Sequence, residues 1–299
     1  MMWVLLAFMS AALLGCYDFF KKVSLKDNSV IAVLFLNTLF SALLFAPFII
    51  LSRAGVITEG AFYVPRVGAE THLLLMLKAV IVLSSWLCGY LGIKHLPITI
   101  VSPIQSTRPV IVLLGALLLF GESLNIYQWI GVIIAILSVF LLSRSGKREG
   151  IDFVSNRWVA FVVLAAIFGA VSALYDKFLM RRLEPVLVQS WFNLYQCLLM
   201  GFIALLLNAF LPSQRERRFH WRWSIPMISL FLGVADFCYF SSLAQEGALI
   251  AVVSMIRRGS VVVSFAFGAF LLHEKNLKSK AVDLVLIIIG LLFLYLGSR

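Results

Sequence analysis

No charged side chain occurs between residues 28 and 52, and further uncharged apolar runs cover residues 125–143 and 158–175. A helix rises 1.5 Å per residue, so about 20 such residues cross the hydrocarbon core of a bilayer. In lipid every backbone N–H and C=O must be satisfied within the protein, which leaves helices or closed barrels. Barrels read as short alternating strands rather than long continuous runs. The runs therefore predict an all-α membrane protein. Composition agrees: 62% of the 299 residues are hydrophobic and 13% charged, where soluble domains carry about 25% charge.

Ten transmembrane helices are expected, centred near Ala11, Asn37, Leu83, Pro109, Ile134, Phe168, Leu198, Gly233, Ser260 and Ile288, each about 18 to 25 residues long. The amino-terminal stretch lacks a basic leader and a small-x-small cleavage site, so it reads as the first span. Cys16, Cys88, Cys197 and Cys238 are dispersed in apolar segments without metal-ligand spacing. His72, His95, His220 and His273 form no HExxH pattern, so no metal site is expected. The net charge of +11 sits in short connections beside apolar helices, where basic residues set topology rather than bind nucleic acid.

An internal duplication organises the chain. Tyr17-Asp18 closes the first apolar run, and Tyr175-Asp176 closes the sixth. Later features recur in the same order: Arg108 then Pro109, and Arg258 then Gly259, each followed by an apolar run ending in glutamate, Glu122 or Glu274. Four features in register point to repeats over residues 1–146 and 147–299. Five spans per repeat is an odd number, so the second would enter the membrane from the opposite side, an arrangement typical of secondary transporters.

The motifs GALLLFGE at 115–122 and GAFLLHE at 268–274, each followed by a glycine-bearing apolar helix, resemble the EamA-type members of the drug/metabolite transporter superfamily. The resemblance covers nearly the whole chain. It implies a central cavity lined mainly by the first, third and fourth helices of each half, alternating access between the halves, and no cofactor. Relatives of this kind carry amino acids, sugars, nucleotide sugars, phosphorylated sugars and drugs, so the resemblance leaves the substrate open. The paired Arg257 and Arg258 also resemble the basic residues of the plastid sugar-phosphate translocator branch.

Ionisable groups inside apolar helices cost about 2.5 to 3.5 kcal/mol each on insertion scales, which makes them the candidate site. Arg108, Arg257 and Arg258 read as mid-helix guanidinium groups suited to phosphate or carboxylate. Gln105 stands one turn before Arg108, and Pro109 deprives the Gln105 carbonyl of its helical donor. Tyr17, Tyr90, Trp86 and Tyr239 are candidate lining residues, and Asp18, Asp176 and Asp236 candidate coupling groups that would exchange a proton. Lys78 in the third span has no matching lysine in the eighth, which carries Asp236 instead, and the two are placed to approach each other across the repeat interface. The competing expectation is internal neutralisation, with the aspartates pairing the arginines, or with Asp18 and Asp176 pairing Lys21, Lys22 or Lys177 at the interface.

These residues predict a secondary transporter for a small polar or anionic metabolite in the cytoplasmic (inner) membrane, acting as monomer or homodimer. The alternatives are an exporter of amino acids or cationic drugs, and a translocator or sensor of anionic lipid head groups. An enzyme is not expected, because no nucleophile elbow or phosphate-binding loop is present. Basic residues concentrate on the odd-numbered connections, which assigns those to the cytoplasm and both termini to the outside. The family resemblance implies the opposite orientation.

Overall fold

The computed structural model describes residues 2–26, 28–95, 104–105, 107–144, 157–210, 219–260, 262–263 and 277–297. These form helices and connecting turns, with no strand among the described residues. In chain order the helices are α1 (Met2–Leu25), α2 (Val30–Arg53), α3 (Ala69–His95), α4 (Arg108–Phe120), α5 (Ile126–Arg144), α6 (Arg157–Met180), α7 (Pro185–Phe210), α8 (Ser224–Ala244), α9 (Ile250–Arg258) and α10 (Leu277–Gly297). Among the described residues six helices are long and apolar enough to cross a membrane, namely α1, α2, α3, α6, α7 and α8. Leu118 and Leu205, 83% and 71% exposed, face outward as side chains in contact with lipid do.

Local chemistry sets the helix ends. The Ser29 hydroxyl accepts from the Ala32 N–H and starts α2. Gly121 closes α4 at φ +61°, a left-handed conformation that glycine adopts without a Cβ clash. Two of the helices are short as described. Helix α4 runs for 13 residues and α9 for 9, each interrupted beside an arginine. Pro109 has no N–H to donate, and its ring conflicts with a continuing turn, so α4 begins at Arg108 with Thr107 ahead of it. At the other place α9 ends on Arg258 and Gly259 follows as its cap. Arg108 thus opens α4 and Arg258 closes α9, with described helical residues across each break at 104–105 and at 260, 262 and 263.

Packing runs mostly between distant parts of the chain. Helix α1 lies along α8 and α3 along α6, while α2 meets α7 and α5 meets α10. Smaller contacts join α4 to α6 and α1 to α9. Serines stitch the closest pairs: Ser10 Oγ donates to the Ala235 carbonyl at 2.7 Å, Ser242 Oγ to that of Trp3 at 2.7 Å, and Ser85 Oγ to that of Ala165 at 2.8 Å. Residue numbers rise on α1 as they fall on α8, so the pair is antiparallel. Small residues permit the approach, for a Cβ on Gly131 of α5 would stand 2.8 Å from the Gly290 carbonyl oxygen of α10.

Candidate functional site

Six helices converge on one group of charges. Helix α4 supplies Arg108, α9 supplies Arg257 and Arg258, α8 supplies Asp236 and Tyr239, α6 supplies Asp176, α3 supplies Lys78 and α1 supplies Asp18. Arg108 lies in the electrostatic reach of Arg257, Asp176 and Tyr239. Arg258 lies in that of Arg108, Asp18 and Arg257. The three arginines and three aspartates singled out in the sequence are thus neighbours, although they come from opposite ends of the chain.

Pairing within this group is uneven. Lys78 and Asp176 form a buried ion pair. Arg257 Nη2 donates to Asp236 Oδ1 at 2.7 Å, and the Arg257 guanidinium lies 4.1 Å over the Tyr239 ring. Asp236 stands in the middle of α8 and Arg257 next to the last residue of α9, and their side chains keep 22% and 19% exposure. Two sequence expectations change accordingly. Asp236 partners Arg257 rather than Lys78, because α8 places it beside α9. Asp176 takes Lys78 rather than Lys177, whose buried ammonium donates instead to the Leu243 and Ala248 carbonyls at the end of α8.

Arg108 is half-buried, and the ion pairs among the described residues, Lys78–Asp176 and Arg257–Asp236, do not include it. Its guanidinium is seated on Gly169 of α6, where an added Cβ would fall 2.2 Å from Arg108 Cζ. The Gln105 amide nitrogen and Ala165 of α6 both border Gly89 of α3, 3.7 and 3.6 Å respectively from a Cβ built there. Gly169 was not singled out from sequence. The available signal was a glycine interrupting an apolar helix, which is ambiguous until the arginine above it is seen.

The aromatic candidates divide. Tyr239 is buried against Arg257, whereas Tyr17 packs into an apolar cluster with Val33, Ile225 and Ile228 and lies 5.3 Å beneath Lys21 Nζ. Trp86 is half-buried on α3. The Tyr90 side chain, Glu274 and His273 lie outside the described residues, as does the motif GAFLLHE.

Glu122 has a definite local role. Its carboxylate accepts from Ile250 N at 2.7 Å and Ala251 N at 3.2 Å, capping the first turn of α9. Two cavities of about 460 and 450 Å³ flank the same end of the molecule. Both are lined by Met180, Arg181, Ala244 and Gln245, apart from the arginine group.

Comparison with known proteins agrees with this arrangement. A solved crystal structure superposes with a TM-score of 0.73 over 98% of this chain and 96% of its own, at 15% identity, which establishes a shared fold. An uncharacterized transporter of Archaeoglobus fulgidus is 26% identical over 279 residues, covering 91% of this chain and 90% of that protein. The model of the EamA-like transporter family matches residues 1–144 and again 156–296. The chain is a multi-pass membrane transporter and belongs to the EamA-like transporter family, within the drug/metabolite transporter superfamily.

Proposed function

We propose that this protein is a secondary transporter of the cytoplasmic membrane that moves a small polar or anionic metabolite by alternating access between two inverted five-helix repeats, residues 1–146 and 147–299. Support for the repeats comes from the packing. Exchanging α1 to α5 with α6 to α10 turns the α1–α8 contact into α6–α3, and the α4–α6 contact into α9–α1. The α2–α7 and α5–α10 contacts map onto themselves. One family model matching twice in succession supports the same reading.

The anionic substrate rests on one observation, the excess of cations over carboxylates in the central group. Lys78, Arg108, Arg257 and Arg258 face Asp18, Asp176 and Asp236, and two of the carboxylates are held by Lys78 and Arg257. The Arg108 guanidinium, lying flat on Gly169, then presents a planar fork that matches phosphate or carboxylate. A bound anion would complete the charge balance and leave with a coupling proton on Asp18 or Asp176. That coupling role falls if flux through an Asp18→Asn, Asp176→Asn double variant keeps its dependence on a pH gradient.

The direct test is thermal stability of purified protein against phosphorylated sugars, carboxylates, amino acids and cationic drugs. A ligand at a hundred times its Kd stabilises the folded state by about 2.7 kcal/mol. Anions should raise the melting temperature of the wild type and fail to do so in Arg108→Gln. Stabilisation by cations alone, or an anion response unchanged in Arg108→Gln, contradicts the proposal.

A further inference from the structure

Helix α7 carries polar side chains that the charged group leaves unused. Gln189, Asn193 and Gln196 recur at i, i+4 and i+7 and so share one helix face. They are 1%, 5% and 4% exposed. Gln189 Oε1, Asn193 Nδ2 and Gln196 Nε2 nevertheless have no hydrogen-bond partner among the described residues. Ser190 Oγ and Trp191 Nε1 of α7 are also unpaired among the described residues, but the three amides share one face, and buried amides are normally satisfied, so that face calls for an occupant that hydrogen-bonds.

The neighbours of the row define where it faces. On one flank Trp191 and Tyr195 pack against His72 of α3, with Tyr195 Oη 2.9 Å from His72 Nδ1. On the other flank Gly201 admits Phe35 of α2. Gln189 Nε2 donates to the Gly233 carbonyl of α8 at 3.1 Å. The row therefore borders the region where α2, α3 and α8 meet. Phe192, beside it, is the ring 4.4 Å beneath Lys78 Nζ, so the row adjoins the charged group.

We propose that Gln189, Asn193 and Gln196 form a neutral recognition track for hydroxyl groups, and that the transported molecule is an anion with a polyhydroxylated body. This rests on the reading of Arg108 as the anion site and adds the other half of the ligand. Amides present both donors and acceptors, as hydroxyls do, and they stand one turn apart along α7. A hydrocarbon body of equal charge would leave them unsatisfied, which is the strongest form of discrimination a site can apply.

Two measurements test the track. In a chain whose four native cysteines are replaced by alanine, Asn193→Cys and Gln196→Cys in proteoliposomes are exposed to a membrane-impermeant thiol reagent. Labelling about tenfold faster than Phe202→Cys, whose position is 60% exposed on the outer face, is expected for side chains that meet water during transport. No labelling at 193 and 196 makes the row dry helix packing and overturns the track, with the arginine reading intact.

The second compares threonate with butyrate, equal in charge and carbon number but differing in hydroxyls, by thermal stabilisation. Threonate should act at about tenfold lower concentration in the wild type, the scale of a lost hydrogen bond. That advantage should vanish in Asn193→Leu, Gln196→Met while a response to both anions persists. Equal responses in the wild type, or an advantage that survives in the double variant, overturn the track alone. A wild type that responds to neither anion overturns the arginine reading and the track together.

Discussion

Lys78 illustrates how much energy one side chain inside the bundle commands. It is 2% exposed, paired with Asp176, and bracketed by Phe192 and Phe240 with its Nζ 4.4 and 4.8 Å from their centroids. Removing one partner of a buried pair strands the other charge, a loss of about 3 to 5 kcal/mol, whereas replacing both with apolar residues is often near neutral. Lys78→Met should therefore lower the melting temperature sharply in ligand-free protein, and Asp176→Leu added to it should recover most of the loss. A double variant no more stable than Lys78→Met would mean that the pair is not what holds these helices. The lysine was legible in the sequence as a lone cation within an apolar run. Its partner was not, because which carboxylate lies opposite depends on α3 packing along α6 rather than α8.

At the scale of elements, the glutamate that ends α4 was also legible, while its purpose was hidden. Gly121 turns the chain with a left-handed φ of +61°, and the next residue reaches a helix 128 positions away to receive the Ile250 N–H. Helix α9 depends on this reach, because its own N-cap, Leu249, has no side-chain acceptor. A carboxylate there also opposes the positive end of the helix dipole. Loss of such a cap costs about 1 kcal/mol. Glu122→Ala should destabilise the protein by that order in thermal unfolding, and Glu122→Gln by less, since its amide oxygen still accepts one bond. Equal stability of Glu122→Ala and wild type would contradict the capping role. Sequence alone reveals a recurring glutamate after an apolar run, but an acceptor for a distant helix start has no local signature. Pro109 was different in part, since the donor it denies the Gln105 carbonyl could be read from its position alone, whereas the start of α4 at Arg108 could not.

For the whole molecule, lipid solvation made the all-helical class readable from uncharged runs, and recurrence of Tyr-Asp, arginine and glutamate suggested the division into halves. The interleaving of those halves, with α1 against α8 and α3 against α6, was not readable, since apolar faces in lipid carry little sequence distinction between one neighbour and another. The structure also sorts charge between the two ends. Ser24 meets Ser224, and Asn28 meets the His220 carbonyl, at the end that holds Lys26, Arg157 and Arg222. The opposite end, where Ser242 meets Trp3 and Asn125 meets Gly297, holds Arg53, Arg66, Arg181 and Arg182 together with Glu59, Glu70, Glu184 and Glu246. Basic residues near span ends hold their side in the cytoplasm, while acidic ones contribute little. Counted over the whole sequence, the connections after the odd-numbered helices, to which Lys26, Arg157 and Arg222 belong, also carry Lys21, Lys22, Lys94, Arg144, Lys147, Arg148, Arg215, Arg217 and Arg218, so the Lys26 side has the larger basic excess and should be cytoplasmic. In intact cells carrying a cysteine-free chain, an impermeant thiol reagent should label Glu59→Cys and leave Phe219→Cys unlabelled until the membrane is permeabilised. Both positions are exposed, so burial does not confound the comparison. The reverse pattern would place both ends of the chain in the cytoplasm, as the family resemblance implies, and would mean that the arginines at the Glu59 end outweigh the larger basic cluster opposite during insertion.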